Sequence, residues 1–342
     1  MELRFPFAEP PAPGEVKTVA DGILWFRLPL PFRLNHINIF LIEDGDGWAV
    51  LDTGIGNDET RQIWEGLVSG PLRDRRLTRL IVTHLHPDHI GLAGWLCRRF
   101  DLPLFTSQNS YLGCLNVSLS PGALDAKPYR DFYREHGLSQ ELTDQVVTRG
   151  HNYLTQVDSL PPTFTRIVHG DTLKIGGRGF SVLTGDGHAP EQVMLHSPSD
   201  SLFLAADQVL ARITPNVSVW AVEPEQNSLG EYLASLASLT TTLPYDVLVL
   251  PGHGVPFYGL KTRIKQLADH HEERCGLIAD ACRDTPKTSR ELVPVVFHKY
   301  PLDVHQMSFA FSEVQAHVNY MLRTDRLQWV ETSDAIQRVV AK

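Results

Sequence analysis

Short apolar runs separated by Gly, Asp and Pro breaks dominate the first three quarters of this chain, and longer amphipathic stretches follow them. Ile23-Leu24-Trp25-Phe26, Asn38-Ile39-Phe40-Leu41-Ile42 and Trp48-Ala49-Val50-Leu51 are rich in β-branched and aromatic residues, as strands are. Asp44-Gly45-Asp46-Gly47 between the last two marks a hairpin turn. The pattern then predicts a helix near 58–68, a strand at 79–83 and a helix near 91–100. Phe180-Ser181-Val182-Leu183, Leu202-Phe203-Leu204-Ala205-Ala206 and Val247-Leu248-Val249-Leu250 read as buried strands. Beyond them, Ile264, Leu267, Ala268, Cys275, Ile278 and Cys282 give residues 261–283 a helical face. Thr288 or Ser289 caps a second helix, a third runs near 310–323, and Leu327-Gln328-Trp329-Val330-Glu331 is strand-like. Residues 1–16, with Pro6, Pro10, Pro11 and Pro13, form an extended lead-in.

The predicted strands end in chemistry. Thr83-His84-Leu85-His86-Pro87-Asp88-His89 follows Leu80-Ile81-Val82 and concentrates three imidazoles and a carboxylate. Side chains two apart on an extended segment point the same way, so His84 and His86 can grip one ion. Asp88 and His89, past the Pro87 turn, face a second. Imidazole and carboxylate suit Zn²⁺, with Mn²⁺ and Fe²⁺ as alternatives. A dinuclear site needs about seven protein ligands. Later strand ends supply the rest: His188 in Gly185-Asp186-Gly187-His188, Asp207 after Leu202–Ala206, and His253 in Pro251-Gly252-His253-Gly254.

The order H-x-H-x-D-H, G-H, a strand-end Asp and P-G-H-G resembles the metallo-β-lactamase superfamily over roughly residues 18–258. That resemblance implies a four-layer αββα sandwich with two metals at one edge. His84, His86 and His188 would hold the first ion, Asp88, His89 and His253 the second, and Asp207 would bridge them. Leu51-Asp52-Thr53-Gly54 matches an early family turn whose Asp supports the ligands from behind. His36, on the hairpin that borders the metals in this fold, is a further supporting candidate. The tail from 259 to 342 resembles the small, mainly helical winged-helix domain of the endoribonuclease-like branch. The expected division is a catalytic domain at 1–258 and this tail at 259–342.

Composition narrows the picture. Of 342 residues, 42% are hydrophobic and 21% charged, enough for one large or two ordinary cores. A net charge of -9 disfavours a nucleic-acid surface, and from Leu260 onward 12 Lys+Arg stand against 11 Asp+Glu, with no basic stripe. No membrane span or signal-peptide pattern is visible, and four scattered cysteines are too few for a disulfide framework, so a cytoplasmic, reduced protein is expected. Homodimerisation stays open.

Between His89 and His188 lie 188 − 89 = 99 positions, more than the strands need. The excess, 109–160, carries Tyr111, Tyr129, Tyr133 and Tyr153 with Lys127 and Arg130, and reads as a helical insertion, either a lid or an interface. The expected chemistry is zinc-dependent hydrolysis of a small or medium acyl substrate, a thioester or ester, by a metal-bridging hydroxide that Asp88 orients. An endoribonuclease or phosphodiesterase, a lactonase or weak β-lactamase, and a di-iron oxidoreductase are the alternatives. The last usually shows H-x-E-x-D and a flavin domain, whereas His86 holds the middle position here.

Overall fold

The computed structural model describes residues 2–150, 152–298 and 302–342. They form two compact units, each discontinuous in sequence: Met1–Leu119, Tyr153–Pro215 and Ser238–Arg263 make the first, and Ser120–Asn152, Asn216–Ala237 and Ile264–Lys342 the second. Packing thus follows the chain differently from a single cut at 258, because two internal segments join the tail.

The first unit holds two sheets. In one, β1 (Lys17–Ala20), β2 (Ile23–Pro29), β3 (His36–Asp44), β4 (Gly47–Leu51), β5 (Arg76–Ile81), β6 (Leu104–Thr106) and β7 (Thr165–Arg166) lie side by side in chain order. β1 to β4 pair antiparallel and β4 to β7 parallel. The second sheet runs β12 (Leu248–Pro251), β11 (Leu202–Ala206), β10 (Gln192–Ser197), β9 (Arg178–Gly185) and β8 (Thr172–Ile175). The β3–β4 hairpin closes on Asp44 opposite Gly47, with Gly45 at φ +66°, as the Asp-Gly pair predicts.

Alternation along the strands builds two cores. Ile23, Trp25, Phe40 and Ile42 pack with Phe180, Val182, Val193, Leu195, Leu204 and Leu250 of the second sheet. Phe26, Leu28, Ile39, Leu41 and Val50 point the other way, onto Trp64 and Leu67 of α1 (Asp58–Ser69) and Leu96 of α3 (Ala93–Phe100). Phe26 meets Trp64 edge-on at 5.2 Å, and each such ring contributes about 2–3 kcal/mol by burial. Asn57 caps α1 by accepting from Thr60 N at 2.8 Å. Between α1 and α3 lies the short α2 (Pro87–Ile90), and α4 (Gln108–Leu119) and α7 (Asn152–Gln156) stand at the two ends of the excursion. This is the mixed α/β sandwich the resemblance implies.

The second unit is helical. It contains α5 (Lys127–Glu135) and α6 (Gln140–Gly150), parts of α8 (Ser228–Thr242) and α9 (Leu260–Ala281), then α10 (Ser289–Val296) and α11 (Val304–Arg323). β13 (Leu327–Val330) and β14 (Arg338–Ala341) close it as an antiparallel pair. Thr288 and Glu291 form a capping box on α10. α11 starts at Val304, earlier than its apolar pattern suggests, because Asp303 and Gln306 form a second one. No helix among the described residues is long and apolar enough to cross a membrane.

The excursion at 109–160 does not fold as one insertion. Tyr111 is buried against Phe164 at 4.2 Å in the first unit, whereas Tyr133 packs on Phe132 and Phe311 in the second. Lys127 pairs with Asp131 at 2.5 Å, and Arg130 with Asp144 and Asp125.

Candidate metal centre

Strand ends converge at one edge of the sandwich. β5 stops at Ile81 and the chain runs through His84 and His86 into α2; β9 stops three residues before His188; β11 ends immediately before Asp207; β12 ends two before His253. All seven ligand candidates meet there. The ligand atoms of His84, His86 and His188 lie within 4.8 Å of one another, and so do those of His84, His89 and Asp207, and of Asp88, His89 and His253.

Asp207 Oδ2 sits at the centre. It is 3.5 Å from Nε2 of both His89 and His188, and 3.2 Å from His253 Nε2. Asp88 Oδ2 is 3.5 Å from His89 Nε2 and 3.2 Å from His253 Nε2. Across the site, His84 Nε2 faces His86 Nδ1 at 3.0 Å. His89 Nε2 and Asp207 Oδ1 are buried without a hydrogen-bond partner. Orphaned donor atoms of this kind, clustered and aimed at one another, fit the first coordination shell of divalent cations.

The opposite ring nitrogens of His84, His89 and His253 are held by hydrogen bonds. Asp52, at the tip of β4 with φ +66°, accepts from Thr83 N at 2.8 Å and from Thr83 Oγ1 at 3.0 Å. Its Oδ2 also accepts from His89 Nδ1–H at 2.8 Å, which leaves the His89 Nε2 lone pair free. Thr83 Oγ1, having given its proton to Asp52, takes one from His84 Nδ1 at 3.0 Å and fixes that tautomer too. His253 Nδ1–H donates to the His36 carbonyl at 2.7 Å, and Gly254 N donates to His36 Nε2 at 2.9 Å. Asp52 thus touches His89, and the His36 carbonyl touches His253, each on the ring nitrogen turned away from the cluster. The reading of the sequence missed Thr83 and Asn38. Asn38 Nδ2 donates to Pro251 O at 2.9 Å and Gly254 O at 3.1 Å, holding the loop that carries His253. A polar residue amid Ile37, Ile39, Phe40 and Leu41 was the available signal.

Gly252 is required by the same crowding. A Cβ there would fall 2.2 Å from Asp207 Oδ1 and 3.1 Å from His89 Cε1. Beyond His188, Glu191 accepts from Asn109 N at 3.1 Å, and buried Gln192 donates to Gln208 at 3.0 Å.

Electrostatics match. Burial, then the neighbouring imidazoles, hold His84 well below its ordinary pKa and His86 down to about 3. Burial also opposes charge on His89 and His253, but the carboxylates win: Asp88, Asp207 and Asp52 hold His89 well above its usual value, and Asp207 and Asp88 bring His253 to about 10. The buried carboxylates demand positive charge.

A family model described as metallo-beta-lactamase superfamily matches residues 33–253, and one described as metallo-beta-lactamase-like, C-terminal domain, matches 275–341. A crystal structure of a beta-lactamase domain protein from Burkholderia ambifaria is 37% identical, covers 99% of this chain and 97% of its own, and superposes with a TM-score of 0.89. A probable metallo-hydrolase, YqjP, of Bacillus subtilis (strain 168) is 21% identical over 88% of this chain and 92% of its own length. The bovine (Bos taurus) acyl-coenzyme A thioesterase MBLAC2 is 24% identical over 76% of this chain and 88% of its own. The chain belongs to the metallo-beta-lactamase superfamily and is a metallo-hydrolase of that class.

Proposed function

We propose that this metallo-hydrolase holds two divalent cations, zinc first with Mn²⁺ and Fe²⁺ as alternatives, and hydrolyses a small or medium acyl thioester or ester. The observation that carries the reading is Asp207 Oδ2, within 3.5 Å of His89 and His188 and 3.2 Å of His253, a position from which one carboxylate serves both ligand groups. His84, His86 and His188 would hold one ion and Asp88, His89 and His253 the other. Such cations lower the pKa of water from 15.7 to about 7 and polarise a carbonyl.

The chain's own residues do the rest. Asp52, Thr83 and the His36 carbonyl keep His89, His84 and His253 in their binding tautomers. Asp88 is the more exposed carboxylate, at 18% against 7% for Asp207, and would orient the attacking water and take its proton. Thiol nucleophiles do not compete: all four cysteines are buried, and burial pushes Cys97 and Cys275 up to about 12 and Cys282 to about 11.

Similarity to the thioesterase MBLAC2 supports the acyl reading, and the net charge of -9 weighs against the RNA alternative. The test compares turnover of acyl-coenzyme A thioesters and simple esters with cleavage of single-stranded RNA by the metal-loaded protein. Acyl turnover that falls by about 10²–10⁴ in Asp88→Asn supports the proposal. RNA cleavage abolished by that substitution, with no acyl turnover, overturns it.

A further inference from the structure

The peptide between His84 and His86 has a partner that comes from far along the chain. Tyr153 Oη donates to the Leu85 carbonyl at 2.7 Å. Cys114 is the other polar neighbour of the phenol. The residues after Tyr153 reach the far side of the same loop, where Asp158 N donates to Gly91 O at 2.7 Å, and they also bind the β4–α1 turn, where Gly56 N donates to Gln156 O at 2.7 Å. Side chains are excluded where this segment crosses: a Cβ on Gly91 would lie 2.7 Å from Gln156 O, and one on Gly94 only 1.5 Å from Ser159 O. Residues 153–159 therefore brace the stretch from Leu85 to Gly94 at both ends.

The two ligand groups differ in what fixes them. His89 and His253 are each held by a bond to the ring, from Asp52 and the His36 carbonyl. His84 has Thr83 on its ring, and His86 Nδ1 faces His84 rather than a supporting residue. The orientation of His86 against His84 rests on the backbone between them, where Tyr153 binds.

We infer that Tyr153 is a positioning residue that sets the His84–His86 geometry, and so the affinity and coordination of the ion held with His188. The inference rests on the two-metal reading above. It makes the phenol hydroxyl, and not only the ring, matter to metal binding.

The test uses the full chain as wild type, Tyr153→Phe and Cys114→Val, with Zn²⁺ affinity measured by chelator competition and visible spectra of the Co²⁺-loaded proteins. Tyr153→Phe keeps the ring, and its metal-free form is expected to melt within about 4 °C of wild type. One of its two ions should bind about tenfold more weakly, with an altered Co²⁺ spectrum. Cys114→Val leaves the Tyr153–Leu85 bond intact and should match wild type in both readouts. Wild-type affinity and spectrum in Tyr153→Phe would overturn the inference while leaving two-metal binding standing. An equal loss in Cys114→Val would overturn it too, since packing would then be the cause. A wild-type chain that binds no metal would overturn both this inference and the reading beneath it.

Discussion

Replacing Asp52 by Asn changes one atom and reverses a hydrogen bond that decides which face of His89 meets the metal. Asp52 is 2% exposed and accepts three bonds, from Thr83 N, Thr83 Oγ1 and His89 Nδ1. An amide offers only one acceptor oxygen. If that oxygen stays on Thr83 N, the NH₂ group faces His89 Nδ1 and forces the proton onto Nε2, the atom the second ion needs. If the amide flips, its NH₂ meets the Thr83 N–H, and a buried donor is stranded at a cost of about 1–3 kcal/mol. Either way the loss is about 2 kcal/mol, or about 30-fold in affinity for the ion that His89 shares with Asp88 and His253. Chelator competition on Asp52→Asn measures it directly, with circular dichroism to establish that the metal-free variant is folded. A folded Asp52→Asn with wild-type affinity for both ions would refute the argument that Asp52 sets the His89 tautomer.

Two other predictions test the frame around the site. Gly252→Ala should lose metal and stability together, because its Cβ would lie 2.2 Å from Asp207 Oδ1; normal metal content in this variant would contradict the crowding argument. In the second unit, burial and then the neighbouring charges hold His271 down to about 2, and burial, with Arg274 and His270 nearby, holds His317 down to about 3. Both stay neutral in the fold, His271 Nδ1–H donating to His317 Nε2 at 3.1 Å, while the unfolded chain takes up protons near pH 6.5. Their contribution is therefore complete above about pH 6.5 and is lost as pH falls, about 2 kcal/mol for each by pH 5. The groups around them are His270, Tyr232 and the buried Arg274–Glu313 pair, whose carboxyl is raised by burial. Chemical unfolding at pH 7 and pH 5 should show a smaller pH-dependent loss in His317→Leu than in wild type; equal losses would sink the assignment.

The ligand candidates were legible because the signal is local: four strands each end within three residues of a His or Asp, and His86, Asp88 and His89 follow His84 in one short motif. All seven come together as their order in the chain implies. What supports them was not legible, since Thr83 acts through Asp52 some thirty residues away and Asn38 through a loop more than two hundred residues on. Tyr153, read only as part of the 109–160 insertion, bonds the Leu85 carbonyl. His271 sits in a polar run, His270-His271-Glu272-Glu273-Arg274, that reads as helix surface or an interdomain contact, and it is fully buried against His317. Helix periodicity ranks faces by apolar content and misses a polar face that satisfies itself. The recruitment of 120–152 and 216–237 into the second unit was hidden for the same reason, because it depends on contacts between distant segments such as Phe132 with Phe311.

The central claim is a paired metal site joined by Asp207, and elemental analysis of protein purified without chelator and supplied with Zn²⁺ tests it most directly. The account predicts two ions per chain in wild type and loss of both in Asp207→Ala, because Asp207 Oδ2 reaches His89, His188 and His253 together. One ion or fewer in wild type, or two retained in a folded Asp207→Ala, would contradict it.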